Sequence, residues 1–184
     1  MKLMKLLILV LYVTVPGCLL QVEAQSKVFA TKTGQASFFS ETPTENISAA
    51  NNRVQAVLKP ETNEIAVRMK MAEFIFPNKL MQEHFNENYM ESTKFPTGTF
   101  SGKIDQPIDY AKDGIHEVTA TGDFTVHGVK KPRKLNGKLQ VRNGKVFIET
   151  QFDVALKDHN IDVPTIVFVK IAQIIQVKAS VVLE

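Results

Sequence analysis

Apolar and polar residues alternate along most of this chain with a period of two, the spacing of a half-buried β-strand. Over 118–127, Val118, Ala120, Gly122, Phe124 and Val126 share one face, while Thr119, Thr121, Asp123, Thr125 and His127 take the other. Over 134–142, Leu135, Gly137, Leu139 and Val141 oppose Lys134, Asn136, Lys138, Gln140 and Arg142. Val146, Ile148, Phe152, Val154 and Leu156 share a side of 146–156. Ile65, Val67, Met69 and Met71 do so over 64–71, as do Ile175, Val177, Ala179, Val181 and Leu183 over 175–183. A sheet with one buried and one solvated face produces this pattern. Turn residues separate the runs. Pro60–Glu64 precedes one strand, and Asn143–Gly144 is a two-residue hairpin signal. The basic run 130–134 and Lys112–Gly114 fall at further expected junctions. Many short strands punctuated this way predict an all-β sandwich or barrel.

Two stretches depart from the alternation. Residues 77–92 have helical spacing: Leu80 or Met81, then Phe85, then Tyr89 share a face, and Pro77 suits a helix start. In 162–173, Pro164 suggests a short helix, but Thr165, Ile166, Val167 and Val169 are β-branched and weaken that reading. The expectation is therefore an all-β domain with one or two short helices.

The N-terminus carries a different signal. Lys2 and Lys5 precede an apolar run from Leu6 to Leu20, and Val22 and Ala24 occupy the small-residue positions before a cleavage site. This predicts a signal peptide over 1–24, cleaved after Ala24, with one domain over 25–184. The apolar run is too short for a membrane span. Val15–Cys18 offers a second reading as a lipobox with Cys18 lipidated, although Pro16 and the Leu19–Leu20 pair suit it poorly. Cys18 is the single cysteine, so cleavage after Ala24 leaves a chain without disulfides. The net charge of +3 falls to +2 once Lys2, Lys5 and Glu23 are removed. That balance gives no field suited to nucleic acid or an anionic membrane.

Candidate chemistry is sparse. His127 has Asp123 and Thr125 as same-face neighbours, but no Gly-x-Ser-x-Gly elbow accompanies it. Its expected role is structural or solvated, and no enzyme activity and no cofactor are expected. His84, His116, His127 and His159 lie at no metal-binding spacing. Residues 98–104 imitate a phosphate loop but are one residue short between glycines, with Ile104 after the lysine; a strand carrying Phe100, Gly102 and Ile104 is the better reading. Asn46–Ser48 matches a glycosylation acceptor, relevant only in a eukaryotic secretory route.

What remains is the apolar face. A closed barrel of about eight strands can hold side chains or one small ligand. Ala120, Gly122, Gly137 and Ala179, beside Phe38, Phe100, Phe124 and Phe152, are expected to leave room for an apolar guest; the rival reading is that the small residues only relieve packing.

Residues 91–104 and 120–137 resemble the YceI-like lipid-binding proteins. The match is carried by Phe95, Pro96, Phe100, Gly122, Phe124, Thr125, His127, Gly128, Val129 and Pro132. The resemblance implies a lipocalin-like antiparallel β-barrel with a helix over one end and a tunnel for a polyisoprenoid, an isoprenoid quinone or a similar amphiphile. The N-terminal strands read as shorter and more polar than the family's, and 156–173 replaces its usual Arg and Phe-Gly step. The implied lining is Phe38, Phe85, Phe100, Val118, Ala120, Gly122, Phe124, Val126, Leu139, Ile148 and Phe152, with His127 near the rim. The implied partner is an apolar lipid, outside the cytoplasm. The alternative is a barrel plugged by its own side chains, acting as a structural or stress-related interaction module.

Overall fold

The computed structural model describes residues 28–163 and 171–184. The expected signal peptide, Cys18 and the expected helix at Pro164 lie outside them. Eight antiparallel strands run in chain order around a closed barrel, β1 (Phe29–Glu41), β2 (Asn46–Lys59), β3 (Glu64–Lys70), β4 (Thr97–Ile104), β5 (Gly114–Val126), β6 (Val129–Arg142), β7 (Lys145–Ala155) and β8 (Ile174–Leu183). β1 pairs with β8 from Gln35↔Ser180 to Phe39↔Gln176, which closes the sheet and removes its edges. β1 and β2 have 13 and 14 residues, so the N-terminal strands are not short. Their many Asn, Gln, Ser and Thr residues conceal their length in a hydrophobicity pattern.

Two hairpins rest on paired left-handed residues. Asn143 (φ 52°) and Gly144 (φ 72°) join β6 to β7, as their sequence predicts. His127 (φ 51°) and Gly128 (φ 72°) join β5 to β6 in the same way. The basic run 130–134 is therefore not the turn but the first part of β6. Pro132 fits there because β6 meets β7 only from Gly137 onward, leaving that side of 129–136 without a ladder that needs its N–H.

The helical spacing of 77–92 produces a short helix, α1 (Lys79–His84), capped by the Asn78 side chain, which accepts from the Leu80 N–H at 2.9 Å. It widens into a π turn over Phe85–Tyr89, closed by the Met90 N–H donating to the Phe85 carbonyl at 2.8 Å. A π turn brings residues i and i+5 toward one face. Phe85, Tyr89 and Met90 thus point together at the barrel mouth, while Leu80 is 56% exposed.

The barrel has two unlike halves. In one half, Phe29, Leu58, Ile104, Leu139, Val141, Val146 and Leu183 are all fully buried, and the loop after β4 folds Tyr110 across the end. The Tyr110 hydroxyl donates to Asn63 Oδ1 at 2.9 Å, and its ring lies 6.0 Å from Phe29. Burial pushes the Tyr110 phenol up to about 12. At the other end two ladders stop short. β2 pairs with β3 only from Gln55 to Lys59, and the β6–β7 pairing ends at Gly137↔Thr150. Non-strand segments fill the gaps: Ile75 bridges to Ala50, and a 3₁₀ turn at Leu156–His159 packs beside β6.

Candidate functional site: an apolar cavity beneath the helix

The flared end encloses a cavity of about 490 Å³, within the roughly 300–1,000 Å³ of small-molecule sites. Its floor and walls come from every second residue of the converging strands. β1 contributes Phe38 and Ser40, β3 Met69, β5 Phe124 and Val126, β7 Val154, and β8 Ile175 and Val177. Phe74 and Phe76 follow β3, and Met81, Phe85, Tyr89 and Met90 descend from the helical cover. Phe38, Phe74, Phe76 and Phe85 form one cluster, with ring centroids 5.0–5.9 Å apart. Apart from Met1 and Met4, the chain has four methionines, Met69, Met71, Met81 and Met90, and all four line this cavity. Unbranched thioether side chains adapt to irregular apolar shapes. The exposed Asn78, Leu80 and His84, with Glu45, mark where the cavity meets solvent. The Ser40 hydroxyl, in the wall, accepts from the Ala172 N–H at 2.9 Å.

Phe38, Phe85, Phe124 and Val126, expected from the sequence, line this cavity; Phe100, Val118, Ala120, Gly122, Leu139, Ile148 and Phe152 do not. The small residues do not open space for a guest. Gly102 and Gly122 face each other across the β4–β5 ladder, and a Cβ on Gly122 would lie 2.3 Å from the Ser101 carbonyl oxygen and 2.4 Å from Gly102 Cα. The Phe100 ring lies over Gly102, and a Cβ at Gly137 would lie 2.5 Å from the Glu149 carbonyl oxygen. Close backbone approach and a neighbour's ring take up the volume that the sequence pattern assigns to a ligand. The missed lining residues carry a signal, namely the confinement of Met after Met4 to 69–90 and the Phe74-Ile-Phe76 alternation before the helix.

His127 is not solvated; it is 9% exposed and clamps three segments. Nδ1 lies 3.1 Å from the His159 carbonyl oxygen, Nε2 lies 3.1 Å from Glu91 Oε2, and the ring stands edge-on to Phe95 at 4.4 Å. Asp123, its expected same-face neighbour, instead lies 3.8 Å from Lys130 Nζ. Fully buried His159 donates from Nδ1 to the Val129 carbonyl at 3.1 Å, while its Nε2 has no hydrogen-bond partner among the described residues. Burial lowers its pKa. Both histidines hold the β5–β6 turn against the wall of the cavity. Among the described residues, no three His, Cys, Asp or Glu side chains are placed to hold a metal ion, and no helix is long and apolar enough to cross a membrane.

An eight-strand antiparallel barrel with an apolar, helix-covered cavity at one end defines a lipocalin-like class. The chain belongs to the YceI-like domain family, which matches residues 21–183. Among solved structures it is similar to BcnA of Burkholderia cenocepacia, at 12% identity and a TM-score of 0.69 over 82% of this chain and 96% of that one. It is also similar to a polyisoprenoid binding domain from Saccharophagus degradans implicated in plant cell wall breakdown, at 13% identity and a TM-score of 0.69 over 85% and 97%. The YCEI protein of Campylobacter jejuni matches at 14% identity and a TM-score of 0.54 over 97% and 91%. At these identities the likeness is one of fold. No curated protein matches the chain.

Proposed function

We propose that this protein binds an apolar lipid, of isoprenoid or similar amphiphilic character, and carries or sequesters it outside the cytoplasm. The observation that carries the reading is the 490 Å³ cavity walled mostly by phenylalanine, methionine and aliphatic side chains, with Glu45, Asn78 and His84 at its mouth and the satisfied Ser40 in its wall. Such a wall supplies hydrophobic and dispersion contacts, roughly 0.8 kcal/mol for each methylene it removes from water. Membership of the YceI-like family and the polyisoprenoid binding domain among the similar folds support the same reading. The protein is a binder and not an enzyme, needs no cofactor, and reaches its site after cleavage at Ala24, leaving one domain over 25–184.

Native mass spectrometry of protein purified gently from its host, followed by solvent extraction, tests this. The expected result is a stoichiometric excess mass that extracts as a lipid, on a chain beginning at Gln25. A clean unliganded mass, unchanged after incubation with a panel of isoprenoids and acyl lipids, overturns it in favour of a plugged barrel that acts through protein contacts. A mass corresponding to lipidated Cys18 would instead place the protein on a membrane surface.

A further inference from the structure

We infer that His127 is a proton-operated latch between the helical cover and the barrel, closed by the imidazolium and loosened by the neutral ring. As a device for admitting and releasing a guest it rests on the lipid-binding reading; as a latch it does not. Both ring nitrogens face oxygens. Nδ1 lies 3.1 Å from the His159 carbonyl oxygen, and Nε2 lies 3.1 Å from Glu91 Oε2. A carbonyl and an ionised carboxylate can only accept. A neutral imidazole has one N–H and one bare lone pair, so either tautomer sets that lone pair against an oxygen at one of the two contacts. The imidazolium donates at both. With 9% of the His127 side chain exposed, water offers little replacement for the lost bond.

The contact sits where the cover returns to the barrel. Phe85, Tyr89 and Met90 line the cavity, and Glu91 follows directly, in a left-handed conformation (φ 42°). Its carbonyl accepts from the Lys94 and Phe95 N–H groups at 2.8 and 2.9 Å. This turn brings the Phe95 ring down on Gly128, where a Cβ would lie 2.6 Å from it. The Glu91 side chain and the Phe95 ring thus tie the end of the roof to the β5–β6 turn, next to Val126 in the cavity wall. Near its start the cover is tied by Gln82, whose Oε1 accepts from the Phe76 N–H at 3.2 Å, a bond between groups that do not titrate. A proton therefore bears on the Glu91 end. Other charged and titratable groups flank the latch on each side. Lys94 Nζ lies 3.6 Å from Glu91 Oε1, the carboxylate oxygen that His127 does not meet. Lys130 faces Asp123 at 3.8 Å, and Arg133 donates to the Asp153 carbonyl. The His159 ring donates to the Val129 carbonyl, with Lys157 and Asp158 before it in the 3₁₀ turn. Lowering the pH through the range where imidazoles titrate loads the ring and closes the cover; raising it frees the Glu91 end.

Amide hydrogen exchange of the mature protein, read residue by residue at about pH 8 and about pH 6 and corrected for the intrinsic exchange rate, tests the latch without a ligand. The Met90, Ser92 and Phe95 N–H groups bond to the Phe85, Asn86 and Glu91 carbonyls. Their protection should rise about three- to tenfold at the lower pH, the size of one partly exposed charge-assisted bond. Protection at Leu139 and Val146 in the solid half should not rise. His127→Asn keeps the hairpin, because Asn–Gly suits the same turn, and should abolish the response. Glu91→Gln should abolish it too while leaving the cover closed at both pH values, since an amide can donate to a neutral imidazole or accept from a charged one. A flat profile in the wild type overturns the latch. So does a response that survives in His127→Asn, which would assign it to His159 or another group. Stopped-flow release of the uncharged apolar dye N-phenyl-1-naphthylamine should be faster at pH 8 than at pH 6 by the same factor of about three to ten, in the wild type but in neither variant. If protection shifts as expected and the dye does not bind, the latch holds and the lipid-binding reading falls.

Discussion

The two halves of the barrel share the same eight strands and the same alternation, yet one is solid and the other hollow. The solid half is filled by Leu, Val and Ile at nearly every inward position and sealed by Tyr110. The hollow half adds Phe and Met to its Val and Ile, and is roofed by a short helix and a π turn in place of paired strands. Branched aliphatic side chains interlock at close range. The large rings at the other end stack against one another along the wall, and the two short ladders hold the walls apart. Stability is thus expected to concentrate at one end and binding at the other, an arrangement in which a site can keep a void without unfolding the domain.

Substitutions that break this division should do so in a graded way. The largest effect is expected for Leu139→Ala in the solid half, about 2–5 kcal/mol of lost stability, against a smaller loss for Phe85→Ala, whose half-buried ring already borders a void. Urea unfolding of both variants checks this, and equal losses would show that the halves do not differ. Gly122→Ala comes next. Its methyl group meets the Ser101 carbonyl and the Gly102 backbone, so the β4–β5 pair must shift, at a cost of about 1–3 kcal/mol. Tyr110→Phe removes one bond to Asn63 and should lower stability by about 0.5–1.5 kcal/mol at neutral pH.

The pH dependence sharpens the contrast further, with opposite signs at the two ends. Tyr110 is raised from 10.0 to about 12 in the fold, so the unfolded chain ionises first and stability falls as pH rises from 10 toward 12. His159 is lowered below its ordinary 6.5, so the unfolded chain takes up the proton first and stability falls as pH drops below 6.5, until the folded imidazole also protonates. Unfolding midpoints measured across pH should therefore decline at both extremes. Tyr110→Phe should flatten the alkaline limb and His159→Gln the acid limb; an acid limb unchanged in His159→Gln would remove His159 as its source.

Much of the frame was legible from the chain. Period-two alternation placed β3, β5, β6, β7 and β8, Asn143–Gly144 marked its hairpin, and the helical spacing of Met81, Phe85 and Tyr89 marked the cover. The second turn escaped because histidine is a less familiar left-handed residue than asparagine, although it too tolerates that conformation. At the site, Phe38, Phe85, Phe124 and Val126 were legible as inward-facing. Their separation from Leu139 and Val118 was not, because those residues obey the same alternation at a different height in the barrel.

By itself, then, the sequence determined which side of each strand faces inward, where the chain turns and which stretch is helical, since these follow from local spacing and backbone preference. Only the tertiary structure decided where the interior is empty. Whether Gly122 makes room or closes it depends on what Gly102 and Phe100 place opposite, and whether Met69 packs or lines a void depends on a roof 12 to 21 residues further along, at Met81 and Met90. Depth along the barrel axis is set by register between strands distant in sequence, and a pattern read one strand at a time carries no record of it.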